Sequence, residues 1–303
     1  MSMKHYCLWI VFVLVLMACT TETPEKGGRE SESAVFYGTT EPVGSKGTRV
    51  YADDKLRVLW DNDDRITIFN QYSLNREYRF TGNTGDNSGS FEILPLSDFS
   101  TGNEMDYVYA VYPYQSSTRI DYDGHIWFDL PSNQNYRSDT FGPGTNLMTA
   151  ISVDHDLNFK NVCGYLTFKF FGESIIIQSI SVEGNANEYL SGRTCITAAL
   201  DSLPSISVDE SQASHVLTLV CDPPVSIGST PEEASLFWMV IPPVVFNQGI
   251  TVTVETQRGT LQQKTTNPLT IQRNHRTSVS SLPIRITTTG LQNYEVGNWD
   301  WGD

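Results

Sequence analysis

Tyr107-Val-Tyr-Ala-Val-Tyr-Pro113 decides the architecture. Aromatic and β-branched residues alternate along this run, which suits a β-strand. Pro113 cannot donate to a ladder and marks the strand's end. Working outward, similar alternation recurs in Ala34-Val-Phe-Tyr-Gly-Thr-Thr40, Arg65-Ile-Thr-Ile-Phe69 and Ile175-Ile-Ile-Gln-Ser-Ile-Ser-Val182. It returns in His215-Val-Leu-Thr-Leu-Val220 and Ile250-Thr-Val-Thr-Val-Glu255. Asp123-Gly124 and Arg258-Gly259 sit between such runs as hairpin turns. No segment sustains a 3.6-residue period. The reading is all-β, as two tandem β-sandwich domains.

The N-terminus reads differently. One cation, Lys4, precedes the uncharged run from Tyr6 to Ala18, which is too short to span a bilayer but suits the core of a signal peptide. Leu16-Met-Ala-Cys19 closes that run and resembles the lipobox of bacterial lipoproteins. That resemblance implies cleavage after residue 18 and lipidation of Cys19. Residues 19–33 are polar, with proline and glycine and no aromatic, and read as a tether. The remaining length favours two domains, placed at residues 34–157 and 158–303.

The formal net charge is −15, and it becomes −16 once Lys4 leaves with the signal. Such a surface argues against nucleic acid or anionic lipid as a partner. Cys163, Cys195 and Cys221 lack the short paired spacings of a zinc site. They read either as one disulfide plus one thiol or as three inert thiols on strands.

Signs of catalysis are missing. Gly85-Asp-Asn-Ser-Gly89 is superficially like a serine-protease nucleophile loop, but it carries an inserted residue and lies in a small, polar, hairpin-like stretch. Asp61-Asn-Asp-Asp64 fails as an EF-hand loop, because Ile66 and Tyr72 stand where glycine and glutamate are required. It reads as a polar turn, with only a looser calcium arrangement left open. His125, His155, His215 and His275 are scattered, and the phosphate-binding glycine motifs are absent. No catalytic residue, metal site or cofactor is expected.

Several segments, taken in order, resemble the fimbrillin family of Bacteroides-type lipoproteins, the subunits of type V pili. After the lipobox come Val58-Leu-Trp-Asp-Asn-Asp-Asp-Arg-Ile-Thr-Ile-Phe69, Tyr109-Ala-Val-Tyr-Pro113 and Leu147-Met-Thr-Ala150. Phe159-Lys-Asn-Val-Cys-Gly-Tyr-Leu-Thr-Phe168, Ile180-Ser-Val-Glu-Gly184 and Leu190-Ser-Gly192 follow. Ile241-Pro-Pro-Val-Val-Phe246 and Gly297-Asn-Trp-Asp-Trp301 complete the series.

The resemblance implies two transthyretin-like sandwiches whose N-terminal strand is removed after export. A trypsin-like, Arg/Lys-specific protease cuts behind that strand, and the vacated groove takes a strand from the next subunit. Here residues 34–40 fit the removable strand, and residues 41–49 fit the cleavage loop, with Arg49 the first candidate and Lys46 the second. Val35 and Tyr37, together with Trp299 and Trp301 of the aromatic tail, are candidate contacts with a partner strand or subunit. The implied setting is an outer membrane lipoprotein precursor whose mature form stands on the cell surface in a fimbria. Its partners would be other pilus subunits and a host or bacterial surface ligand. A different class is a surface glycan-binding lipoprotein of a polysaccharide-uptake system. There Trp127, Trp238, Trp299 and Trp301 would stack on sugars from one open face.

Overall fold

The computed structural model describes residues 35–43, 58–71, 75–94, 104–287, 290–291, 294–295 and 301–302. Cys19, Lys46, Arg49 and Trp299 lie outside the described residues, as does the whole of the expected signal and tether. Residues 33–303 form one compact unit. The all-β expectation holds: among the described residues the one helical element is the 3-10 turn Pro231–Glu233. No helix among them is long and apolar enough to cross a membrane.

The chain begins with β1 (Phe36–Thr40), β2 (Arg65–Gln71), β3 (Arg76–Phe80), β4 (Ser88–Ile93) and β5 (Glu104–Tyr112). Next come β6 (Arg119–Ile120), β7 (His125–Leu130), β8 (Asn133–Arg137), β9 (Thr140–Phe141), β10 (Met148–Ser152) and β11 (Asp156–Asn161). The first five, with β10 and β11, close into a seven-stranded barrel in the order β1-β11-β10-β5-β2-β3-β4. Its interior is aromatic. Trp60 is only 1% exposed and meets Phe91, Tyr112 and Phe159 edge-on at 5.0, 5.4 and 5.3 Å between ring centroids. Trp60 therefore packs as a core residue. Strand β5 stops at Tyr112, immediately before Pro113.

The second half supplies β12 (Gly164–Phe171), β13 (Ile176–Gly184), β14 (Ser191–Thr197), β15 (Ser205–Ser214) and β16 (Val216–Ser226). It continues with β17 (Ser235–Ile241), β18 (Val244–Phe246), β19 (Ile250–Thr256), β20 (Gly259–Lys264), β21 (Leu269–Ile271) and β22 (Arg276–Val279). One sheet centres on β12, with β17 antiparallel and β22 parallel to it. A second runs β20-β19-β13-β16-β8. Leu166, Phe168, Phe237 and Met239 from the first share a core with Ile180, Val182, Val252 and Val254 from the second. Two sheets facing across one apolar layer make a sandwich.

The division of the sheets differs from the division of the sequence. Strand β11 runs across the expected boundary between residues 157 and 158. Strands β7 and β8 precede that boundary, yet β7 pairs with β14 and β8 runs parallel to β16. A third apolar cluster explains the crossover. Phe69, Tyr109 and Val111 from the outside of the barrel meet Ile126, Phe128 and Leu130 of β7, together with Tyr165, Trp238 and Val240. Strand β5 thus buries Ala110 and Tyr112 in the barrel and Tyr109 and Val111 outside it, so its whole end reads as apolar. Such a continuous apolar join holds barrel and sandwich together more firmly than a polar interface would.

Candidate functional site

The first strand has a structural position that its sequence does not announce. β1 closes the barrel by running antiparallel to β4, with Phe36 opposite Phe91 and Gly38 opposite Gly89, and parallel to β11, with Thr40 beside Phe159. Inward and outward faces alternate. Phe36 is 1% exposed and packs edge-on against Tyr78 and His155, whereas Val35 and Tyr37 are 46% and 45% exposed. Of the candidate contact residues, then, Val35 and Tyr37 face outward. Tyr37 hydroxyl donates to Ser88 Oγ at 3.1 Å.

Gly38 is the tightest point. A Cβ there would stand 2.6 Å from Cε2 of Phe91 and 3.2 Å from Cε2 of Phe159, so the strand lies directly on two core rings. Thr40 is also buried, and its hydroxyl donates to the Val58 carbonyl at 2.6 Å.

Where β1 ends, a buried polar network takes hold of the chain. The Glu41 carboxylate, 7% exposed as a residue, accepts from Arg273 Nη1 at 2.7 Å and Nη2 at 3.1 Å. It also accepts from the Asn161 backbone amide at 3.0 Å. Arg273 Nη1 donates in addition to the Asn161 carbonyl at 2.6 Å. Asn274 Nδ2 donates to the Pro42 carbonyl at 2.9 Å, and Asn161 Nδ2 donates to Asn274 Oδ1 at 2.7 Å. The chain of amides continues through Asn146 to the Tyr165 hydroxyl. Asn146, Asn161 and Asn274 are at most 1% exposed, so each needs these partners. The sequence reading missed this cluster. Asn161 appeared in a quoted family segment, but nothing local links it to Glu41 or Arg273.

Other singled-out residues take structural roles. In the Asp61–Asp64 turn, Asp64 Oδ2 accepts from the Asp61 amide at 2.8 Å and Oδ1 from the Tyr112 hydroxyl at 2.9 Å. Burial raises the Asp64 carboxyl above its ordinary value despite these bonds. Asp61 pairs with Arg137 at 2.6 Å, joining the turn to β8. Among the described residues the thiols of Cys163, Cys195 and Cys221 are free, with Cys163 and Cys221 buried and Cys195 half-buried. Burial pushes both Cys163 and Cys221 up to about 12.

Asp121, Asp123 and His125 approach one another in the β6–β7 turn, but Asp121 Oδ1 there accepts from the Asp123 and His125 amides at 3.0 and 2.9 Å. That is the usual carboxylate bracing of a tight turn.

Of the sugar-stacking candidates, Trp127 and Trp238 have described side chains, and neither stands fully exposed. Trp238 is 6% exposed, packed between Tyr165 and Phe141 with the Arg276 guanidinium 5.6 Å above its ring. Trp127 lies half-buried on β7. Trp301 belongs to a short strand, Trp301–Gly302, paired antiparallel with β22 through Val279.

No protein-family profile and no curated protein matches this sequence. Solved structures do. A candidate cell adhesion protein from Bacteroides ovatus superposes with a TM-score of 0.50 at 15% identity, covering 89% of this chain and 98% of that one. A candidate cell adhesion protein from Bacteroides fragilis gives a TM-score of 0.45 at 12% identity, over 88% and 95% of the two chains. The tip fimbrial protein Mfa3 from Porphyromonas gingivalis gives 0.33 at 10% identity, over 89% and 99%. The first similarity covers nearly both chains and concerns architecture. The chain has the all-β fold of the Bacteroides ovatus cell adhesion candidate, in keeping with the fimbrillin resemblance of its sequence.

Proposed function

We propose that the protein is a structural or adhesive subunit of a type V pilus, without enzymatic activity. In this reading it is exported as a lipoprotein precursor through Cys19 and polymerises by protease-triggered strand exchange. The observation that carries it is the placement of β1. It is a short strand between β4 and β11. It leads directly into the stretch that holds Lys46 and Arg49. Withdrawing it would leave the facing backbones of β4 and β11 unpaired and uncover Phe91 and Phe159. Each is a costly exposure that an incoming strand would relieve. The fold shared with the Bacteroides ovatus cell adhesion candidate supports a surface role. The partners in this reading are other pilus subunits, an Arg/Lys-specific protease and a surface ligand, at the outer membrane and then in the fimbria.

The test is limited trypsin treatment of the purified, non-lipidated precursor, followed by N-terminal sequencing and unheated SDS gels. New N-termini at residues 47 or 50 with SDS-resistant ladders are expected. A chain that stays uncut between residues 44 and 57, or stays monomeric after the cut, overturns the polymerisation reading.

A further inference from the structure

We propose that Arg273, with Asn161 and Asn274, forms a carboxylate receptor at the end of the β1 groove. It selects an incoming strand of another subunit that carries an acidic residue directly after its last inward-facing position. The inference rests on the strand-exchange reading above and adds what the groove recognises.

Glu41 precedes both Lys46 and Arg49, so a cut at either residue releases it together with β1. Arg273 stays behind. Its side chain is 16% exposed, and the carboxylate that accepts from both its Nη atoms is then gone. The Asn161 amide loses its acceptor and Asn274 Nδ2 loses the Pro42 carbonyl. A mostly dehydrated guanidinium without its counter-charge is the expensive half of a broken buried pair. The empty groove therefore favours a strand that restores a carboxylate at this point. Arginine suits the role because its planar fork grips a carboxylate with two parallel bonds, as it does here.

The rest of the groove sets the register in which the carboxylate must arrive. The slot beside Tyr78 and His155 takes an aromatic ring. Two residues on, the contact with Phe91 and Phe159 leaves room for glycine alone. Two further on, a small residue is buried where Thr40 bonds the Val58 carbonyl. The resulting key is aromatic, any, glycine, any, small, acid, as in Phe36-Tyr-Gly-Thr-Thr-Glu41.

The chain's own tail does not carry this key. Gly297 and Gly302 follow Glu295 and Asp300 at the aromatic position. Tyr294–Glu295 and Trp301–Gly302 already pair with β20 and β22 of the same chain. The fitting occupant is a strand of a different subunit.

The test uses the full precursor after the trypsin cut, with labelled peptides spanning residues 35–41 and binding read by fluorescence anisotropy. The native peptide is expected to bind at least about tenfold more tightly than its E41Q form, the usual range for losing a charge-assisted bond. A peptide of residues 294–303 should bind far more weakly than either. This comparison uses unmutated protein, so folding is not at issue. In the Arg273→Gln protein the two peptides should bind alike. Equal binding of the native and E41Q peptides to the unmutated protein overturns the receptor while leaving strand exchange standing. So does tight binding of the tail peptide. Entry of no peptide at all overturns strand exchange, and the receptor with it.

Discussion

The Arg273 guanidinium meets the Glu41 carboxylate at 2.7 and 3.1 Å, binding the end of the first strand to a loop 232 residues away. The first strand is thus held at its side by two ladders and at its end by an ion pair. The end contact is polar, buried and shared with two asparagines, so it gives the strand a defined stopping point.

Replacing one member of that pair should be costly. Arg273→Met takes the guanidinium away from a carboxylate with 6% side-chain exposure, and should lower unfolding free energy by about 2–4 kcal/mol. Adding Glu41→Gln to the same chain should recover part of the loss, because a buried charge is removed. Urea denaturation of the two single variants and the double variant checks this. Strictly additive losses would show that the two side chains are not coupled.

Gly38→Ala tests the closest approach of β1 to the core. The added methyl meets Phe91, which is itself fully buried against Trp60 and Phe80 and cannot swing freely. An overpacking loss of about 1–3 kcal/mol is expected in thermal or urea unfolding. The backbone at Gly38 lies outside the left-handed region, so a measured loss belongs to packing and not to torsional preference.

Thiol chemistry should divide the cysteines. At pH 8 the buried Cys163 and Cys221 remain neutral, since burial pushes both to about 12, and the thiolate is the reactive form. Of Cys163, Cys195 and Cys221, iodoacetamide should modify Cys195 first in the native protein, and Cys163 and Cys221 only after unfolding. Peptide mass spectrometry reads the order directly. Early modification of Cys163 would mean that the apolar join between barrel and sandwich opens locally.

Asp64 should leave a signature in pH titration. Burial raises its folded pKa above 3.8, so between that value and the raised one the folded state holds more proton than the unfolded state. Stability from this group is therefore present at acid pH and lost as pH climbs through the raised value. Asp64→Asn should remove this downward slope from the curve of unfolding free energy against pH. Any constant offset from the changed bonds to Asp61 and Tyr112 is separate. An unchanged slope would place the titration elsewhere.

Local pattern was enough to mark the strands. The runs at residues 65–69, 107–112 and 250–255 fall within β2, β5 and β19, and Pro113 stops β5. The turn at Asp123-Gly124 is present, with Gly124 at φ +80. At the other hairpin the turn residues are Gln257 and Arg258, and Gly259 already pairs with Thr256. That shift is a one-residue matter of turn geometry. The aromatic and β-branched side chains that make a strand favourable also make it recognisable, so these elements could be read without their neighbours.

Pairing was a different matter. The amino-acid sequence by itself determined an all-β chain, a polar turn at Asp61–Asp64 and an alternating strand ahead of two basic residues. Only the tertiary structure decided that this strand closes a barrel, that β7 and β8 cross to the C-terminal sheets, and that Glu41 meets Arg273. Ladder partners are chosen by backbone groups that every residue carries, and by burial shared among distant side chains. Those choices leave no local periodicity. An ion pair spanning 232 residues exists only because the fold brings both ends into one mostly buried cluster.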